Sequence, residues 1–179
     1  MEYALKHAKS LAKTLLKEAK NGNTNVLKRL KKYYRLDENH PTELKLKMCQ
    51  HLVAKDAGLF DWQQLHQLLS AEIADNTGQT NFGSVLHSSA CDRFLNKWFA
   101  SYQEAQQALT KHSYLVPFKH QFMVVKGHYF AEIGISNMPE ISEFNNDFVK
   151  AYPSETWDKL VAQVFAAKRS KLKQTANQT

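Results

Sequence analysis

His87 and Cys91 stand four residues apart, the spacing that places two side chains on one face of a helix. A histidine beside a cysteine can take the thiol proton and leave a nucleophilic thiolate. Asp92 and Asn96 repeat that spacing on an adjoining face, and His120 follows in an apolar, β-branched stretch. Cys91, Asp92 and His120 are therefore the candidates for catalysis, and each also has a plainer role. Cys91 recurs with Phe94, Leu95 and Trp98 at helical intervals, where a free thiol acts as a small inert hydrophobe. Asp92 favours the first turn of a helix by its charge. His120 alternates with Tyr114, Val116, Phe118 and Phe122, which reads as a hydrogen-bonded core histidine. Lys119 and Gln121 point to the opposite face of that strand, and with Asn96 they are the candidates for a polar groove.

Metal and cofactor chemistry find no support in the spacing. Eight histidines are present, yet there is no HExxH and no CxxC, and Cys49 and His51 would diverge on a helix. The glycines are isolated, so neither a phosphate loop nor a dinucleotide fingerprint is present, and the nucleophile elbow G-x-S-x-G is missing. No metal and no cofactor are expected.

Charge is the stronger signal. The chain of 179 residues carries a net +7, gathered at its ends. Residues 1–35 hold ten Lys or Arg against two Glu, and residues 164–179 add four more cations with no acid. A basic end suits an acidic partner, and it also describes the solvated face of a soluble helix. Lys6, Lys9, Lys13, Lys17, Arg29 and Lys32 are the candidates for contact with such a partner. Arginine is scarce among them, and no aromatic residue between Leu5 and Leu30 is available to stack a base. Any nucleic-acid binding is therefore expected to be weak and non-specific.

The elements that must position these residues follow from periodicity. Residues 2–20 form an amphipathic helix with Ala4, Leu5, Ala8, Leu11, Ala12, Leu15, Leu16 and Ala19 on one face, ended by Asn21-Gly22. A second helix is predicted from Asn25 to Tyr34, and a third from a Thr42 cap to Ala57. A fourth runs from Trp62 to Ala74, opened by an Asp61 cap, Gln64 at the N3 position and a Phe60–Leu65 staple. A long helix is predicted over Cys91–Leu109, followed by one buried strand over Tyr114–Val125. That strand needs a partner, expected after Lys126, around Phe82–Leu86, or in a second copy. Short helical pieces are predicted at 129–133 and 140–149. A last helix, capped by Ser154, runs to Arg169 with Trp157, Leu160, Val161, Val164 and Phe165 inward.

The third and fourth helices have helix-turn-helix spacing around Ala54 and Gly58. Gln64 occupies the position that should be apolar, and the acidity of the unit opposes phosphate binding, so an ordinary helical hairpin is expected. The run Leu5–Leu69 resembles the helical N-terminal module of uncharacterised bacterial proteins, some associated with ankyrin-like repeats or glyoxalase-type domains. It carries a Gly22-to-Leu27 "G-x-x-x-x-L" helix, then Ala54, Gly58, Phe60, Trp62 and Leu65. The second half, Ala90–Ala105 with Tyr114–Val125, is similar to the core of related proteins. The resemblance implies no activity and brings no catalytic residue.

The expected fold is mainly α, with a helical N-terminal half and a small α+β C-terminal half. Residues 1–75 form the helical module, 76–83 a linker, 84–169 the α+β unit and 170–179 a frayed polar tail. There is no secretory signal and no run of the roughly 18 apolar residues that would span a bilayer, so the expected location is cytoplasmic. The leading expectation for function is a binding protein without catalysis whose partner is another protein. Nucleic-acid binding through helices 2–35, and an enzyme with a site near Cys91, Asp92, Lys119 and His120, are the alternatives.

Overall fold

The computed structural model describes residues 1–36, 43–73, 79–136 and 138–176. Helix α1, Tyr3–Lys20, buries Ala4, Ala8, Leu11, Ala12, Leu15 and Ala19. The alanines let another helix lie close, and α8, Glu155–Ala176, packs along α1. The two run parallel: Asp158 in the first turn of α8 meets the start of α1, and Lys168 and Leu172 lie level with Leu11 and Leu15. The Asp158 carboxylate is fully buried and accepts the backbone N–H groups of Glu2, Tyr3 and Ala4 at 2.7, 2.9 and 2.9 Å. These are the unpaired donors that open a helix, here capped by a residue from the far end of the chain. The chain ends therefore share one hydrophobic core.

Helices α2, Thr24–Lys31, α3, Leu46–Asp56, and α4, Trp62–Leu69, complete the N-terminal part. Asn23 caps α2 by accepting from the Val26 N–H, and Gly22 adopts the left-handed φ of +83° that a Cβ would strain. The Thr42 cap predicted for α3 lies outside the described residues, and α3 begins at Leu46. The Asp61 cap forms as read, accepting from the Gln64 N–H at 2.9 Å. Gln64 reaches back to the Phe60 N–H. The staple does not form: Phe60 is 71% exposed, with the Lys55 ammonium over its ring. Trp62 is only partly buried. Helix α4 stops at Leu69 instead of Ala74, where Ala71 turns to φ 59°.

The central stretch departs most from expectation. Cys91–Leu109 is not one helix. It divides into a 3-10 turn at Ser89–Arg93, strand β1 at Lys97–Phe99 and helix α5 at Tyr102–Gln107. Leu95 is fully exposed and Trp98 is 48% exposed, so the apolar stripe does not exist as a stripe. The reason is pairing: β1 joins β3 antiparallel with Trp98 opposite Met123. Nor is Tyr114–Val125 a single strand. It folds on itself as β2, Tyr114–Phe118, and β3, Gln121–Val125, in register Tyr114 to Val125 and Phe118 to Gln121. The segment therefore pairs chiefly with itself and with β1, and the two expected regions add single contacts: Leu115 bridges to Asp147, after Lys126, and Lys119 exchanges backbone bonds with Phe82 and Gly83. The sheet order is β1-β3-β2.

The remaining elements are α6, His128–Ile133, a 3-10 turn at Pro139–Phe144 and α7, Phe148–Ala151. Trp157, Leu160, Val161, Val164 and Phe165 are buried as predicted, and Ser154 caps α8 through the Trp157 N–H. Helix α8 continues to Ala176, beyond the predicted end at Arg169, so residues 170–176 of the expected tail are helical. Of the stretch read as a linker, residues 79–83 are described. Phe82 is buried there, and its N–H donates to the Lys119 carbonyl. The architecture is mainly helical with one small antiparallel sheet. Among the described residues no helix is long and apolar enough to cross a membrane.

Candidate functional site

Five parts of the chain meet around a cavity of about 420 Å³. Helix α1 supplies an apolar wall, Leu11 and Leu15, and α2 supplies Asn25 and Arg29. Asp56 comes from the last turn of α3, His87, Ser88 and Ser89 from the turn before residue 90, and Lys168, Lys171 and Leu172 from α8. Local structure explains the convergence. Arg29 lies one residue before the buried Leu30 of α2, so its side chain emerges at the edge of the core. Lys168 follows the buried stripe of α8 by three residues from Phe165, and its ammonium lies 5.8 Å from that ring.

Charged groups of both signs meet at this site. Arg29 is ion-paired with Asp56, and the two side chains are 33% and 34% exposed. Burial raises the Asp56 carboxyl above its ordinary range, and the charges of Arg29, Lys168 and Lys32 pull it back. Burial likewise pushes the Lys168 ammonium below the ordinary lysine value. Asp56 counters that shift and Arg29 adds to it. One carboxylate thus faces Arg29, Lys168 and Lys171 at a single cavity. Perturbed titratable groups gathered in a cleft mark it as a candidate site.

His87 forms the opposite rim. Its Nδ1 is 2.9 Å from Tyr129 Oη and its Nε2 is 3.1 Å from Asp92 Oδ1. Tyr129 donates its single proton to the Leu86 carbonyl at 2.9 Å, so His87 donates from Nδ1 to the Tyr129 oxygen. Nε2 can then bond Asp92 only when it too carries a proton. The Asp92 contact is complete in the imidazolium and is given up by the neutral ring, after which Asp92, 67% exposed, turns to water. Burial lowers the His87 pKa, Asp92 opposes that shift, and Lys168 adds to it.

The candidates read from sequence fall in different places. Cys91 is fully buried, with Ser88 Oγ 3.6 Å from its sulfur, and His87 approaches Tyr129 and Asp92 from a turn, not from a shared helix. Asp92 serves His87. His120 is exposed in the hairpin turn, where Nδ1 meets the Gln79 carbonyl, and is not a core residue of the strand. Asn96 donates to the Cys91 carbonyl before β1. Lys119 and Gln121 lie at the hairpin turn, the other end of β3, roughly 13 Å away along the strand. Those three do not form a common groove. Lys6, Lys9, Lys13, Lys17 and Lys32 are exposed, and of the six basic candidates Arg29 reaches the cavity.

Sequence reasoning missed Asp56, Lys168 and Lys171. Asp56 and Lys168 ended predicted helices without any local motif, and their placement depends on how α3 and α8 pack. Among the described residues no cluster of three or more His, Cys, Asp or Glu is placed to hold a metal ion. No protein-family profile matches the chain, and neither the curated proteins nor the solved structures give a match.

Proposed function

We propose that this is a binding protein whose ligand is a small anion, a carboxylate or a phosphate, held in the cavity between α1, α2, α3, α8 and the 87–89 turn. One observation carries the reading: among the described residues that line the cavity, Arg29, Lys168 and Lys171 stand with a single carboxylate, Asp56. A partly desolvated cation gains from an anion brought to it. Arg29 spends one edge of its guanidinium on Asp56 and keeps other N–H donors for a ligand. Ser88 and Ser89 add hydroxyl donors, and Leu11 and Leu15 suit a short apolar body. Titration with inorganic phosphate and with short carboxylic acids, read by thermal midpoint and calorimetry, tests this. A ligand at a hundred times its Kd stabilises by about 2.7 kcal/mol, and Arg29→Gln with Lys171→Gln should remove the shift. A midpoint that no anion moves, with no heat of binding, would dismiss the reading.

A second reading rests on other residues. Lys6, Lys9, Lys13, Lys17 and Lys20 lie outside the buried face of α1 and are all exposed. This stripe supports weak contact with a nucleic-acid backbone. The expected binding is independent of sequence and falls with salt at a log–log slope of about −0.9 per phosphate contacted. A gel-shift titration over salt tests it, and sequence-selective, salt-resistant binding would contradict it.

A further inference from the structure

We infer that Lys168 captures a 2-oxo acid as a reversible imine, with the ligand carboxylate held by Arg29 and Lys171. The inference rests on the anion-binding reading above and names the class of ligand. A lysine amine adds to a carbonyl only as the free base, and proteins obtain the free base at neutral pH by desolvating the amine or setting another cation beside it. Both devices are present. Lys168 lies in the cavity wall, half-buried against Phe165, with Arg29 in the same wall. Burial disfavours its ammonium form, Asp56 opposes that shift, and the Arg29 charge adds to it.

The rest of the cavity fits the same ligand class. The two other cations, Arg29 and Lys171, are in place for the carboxylate. Arginine presents a planar fork suited to a carboxylate, and its pairing with Asp56 holds it at the wall. Ser88 and Ser89 are hydroxyl donors for the carbonyl oxygen, and Leu11 and Leu15 accept a short alkyl group. The step balances without an oxidant or reductant. The Lys168 Nζ lone pair forms a bond to the carbonyl carbon as the C=O π pair moves to oxygen. The two amine hydrogens then leave with that oxygen as water, and the C=N bond forms. Hydrolysis reverses each step and frees the acid.

The test traps the imine in the intact chain with pyruvate or glyoxylate and sodium cyanoborohydride, followed by intact mass and peptide mapping. A single adduct on Lys168 is expected, formed many times faster than on the exposed lysines of α1 and suppressed by excess inorganic phosphate. Lys168→Arg has no amine able to form the imine, so it should lose the adduct. Suppression by phosphate in the unmodified chain gives the same information should that variant fold poorly. Adducts spread evenly over surface lysines overturn the inference. No adduct, with the phosphate shift intact, overturns it and leaves anion binding standing. Loss of both removes the two readings together.

Discussion

The Oδ1 atom of Asp158 accepts the backbone N–H of Ala4 at 2.9 Å across 154 residues of sequence. Its Oδ2 atom takes the N–H groups of Glu2 and Tyr3. The carboxylate thus supplies α1 with the cap that Glu2, which makes no side-chain cap bond, does not. Asp158→Ala leaves three donors without their acceptor and should cost about 2–4 kcal/mol, and Asp158→Asn about half of that. Chemical denaturation measures both. Equal stability of all three proteins would show that water caps α1 as well as Asp158 does.

The two tryptophans that open helices should differ. Trp157 is fully buried and Trp62 is only partly so. Trp157→Ala is expected to cost roughly 3–5 kcal/mol, the range for a large core aromatic, and Trp62→Ala clearly less. The Trp157 indole N–H has no described partner, so Trp157→Phe removes an unsatisfied donor along with some packing and should cost under about 2 kcal/mol. A Trp62→Ala loss as large as that of Trp157→Ala would restore Trp62 as an anchor of the core.

Leu95 provides the opposite control. It is fully exposed in the turn before β1. Leu95→Ser should change stability by no more than about 0.5 kcal/mol. A long Cys91–Leu109 helix would instead bury Leu95, and the same change would then cost several kcal/mol. The measured loss therefore distinguishes the two arrangements.

Both cysteines should resist iodoacetamide in the folded chain and react once it is denatured. Cys49 and Cys91 are buried, and burial pushes the Cys49 thiol up to about 11. Rapid labelling of Cys91 at neutral pH would revive the thiolate chemistry that its sequence position first suggested.

Acid should weaken the fold through His87. Its folded pKa lies below the unfolded value of 6.5, chiefly through burial, with Asp92 pulling back and Lys168 adding to the shift. The unfolded chain then binds more protons between those two values. The contribution is fully present above pH 6.5 and is lost as pH falls through that window. His7 acts in the same direction. Asp56 opposes this at lower pH, because its raised carboxyl binds a proton in the folded state before the unfolded one does. The thermal midpoint should therefore fall as pH drops below 6.5, and His87→Gln should flatten that fall. A steeper fall in the variant would mean that His87 is stabilised in its protonated form.

Where local sequence carries its own energetics, the chain was legible. The buried face of α1, the Asp61 and Ser154 caps and the inward stripe Trp157–Phe165 need only neighbours three or four residues away. The segment 91–125 was not legible, because pairing across the sheet overrides helical spacing. Cys91, Phe94, Leu95 and Trp98 match a helix, yet Trp98 gains an antiparallel partner in Met123 that no local pattern reveals. The hairpin turn was hidden for a related reason. It has no Gly or Asn to mark it, and Lys119 takes φ 53° there. Tertiary contacts hold it: Lys119 donates to the Gly83 carbonyl and accepts from the Phe82 N–H. Most of the candidate site lies on that side of the division: Arg29 and His87 drew attention in the sequence, and Asp56, Lys168 and Lys171 did not. Arg29, Asp56, His87 and Lys168 belong to four separate elements, and none is part of a motif. The sequence determined α1, α4 and α8 and their buried faces. Only the packing of α8 along α1, with α2 and α3 beside them, decided that three cations and one carboxylate would share a cavity. Helix formation depends on neighbours one turn apart, whereas a cavity's charge depends on which surfaces the core brings together.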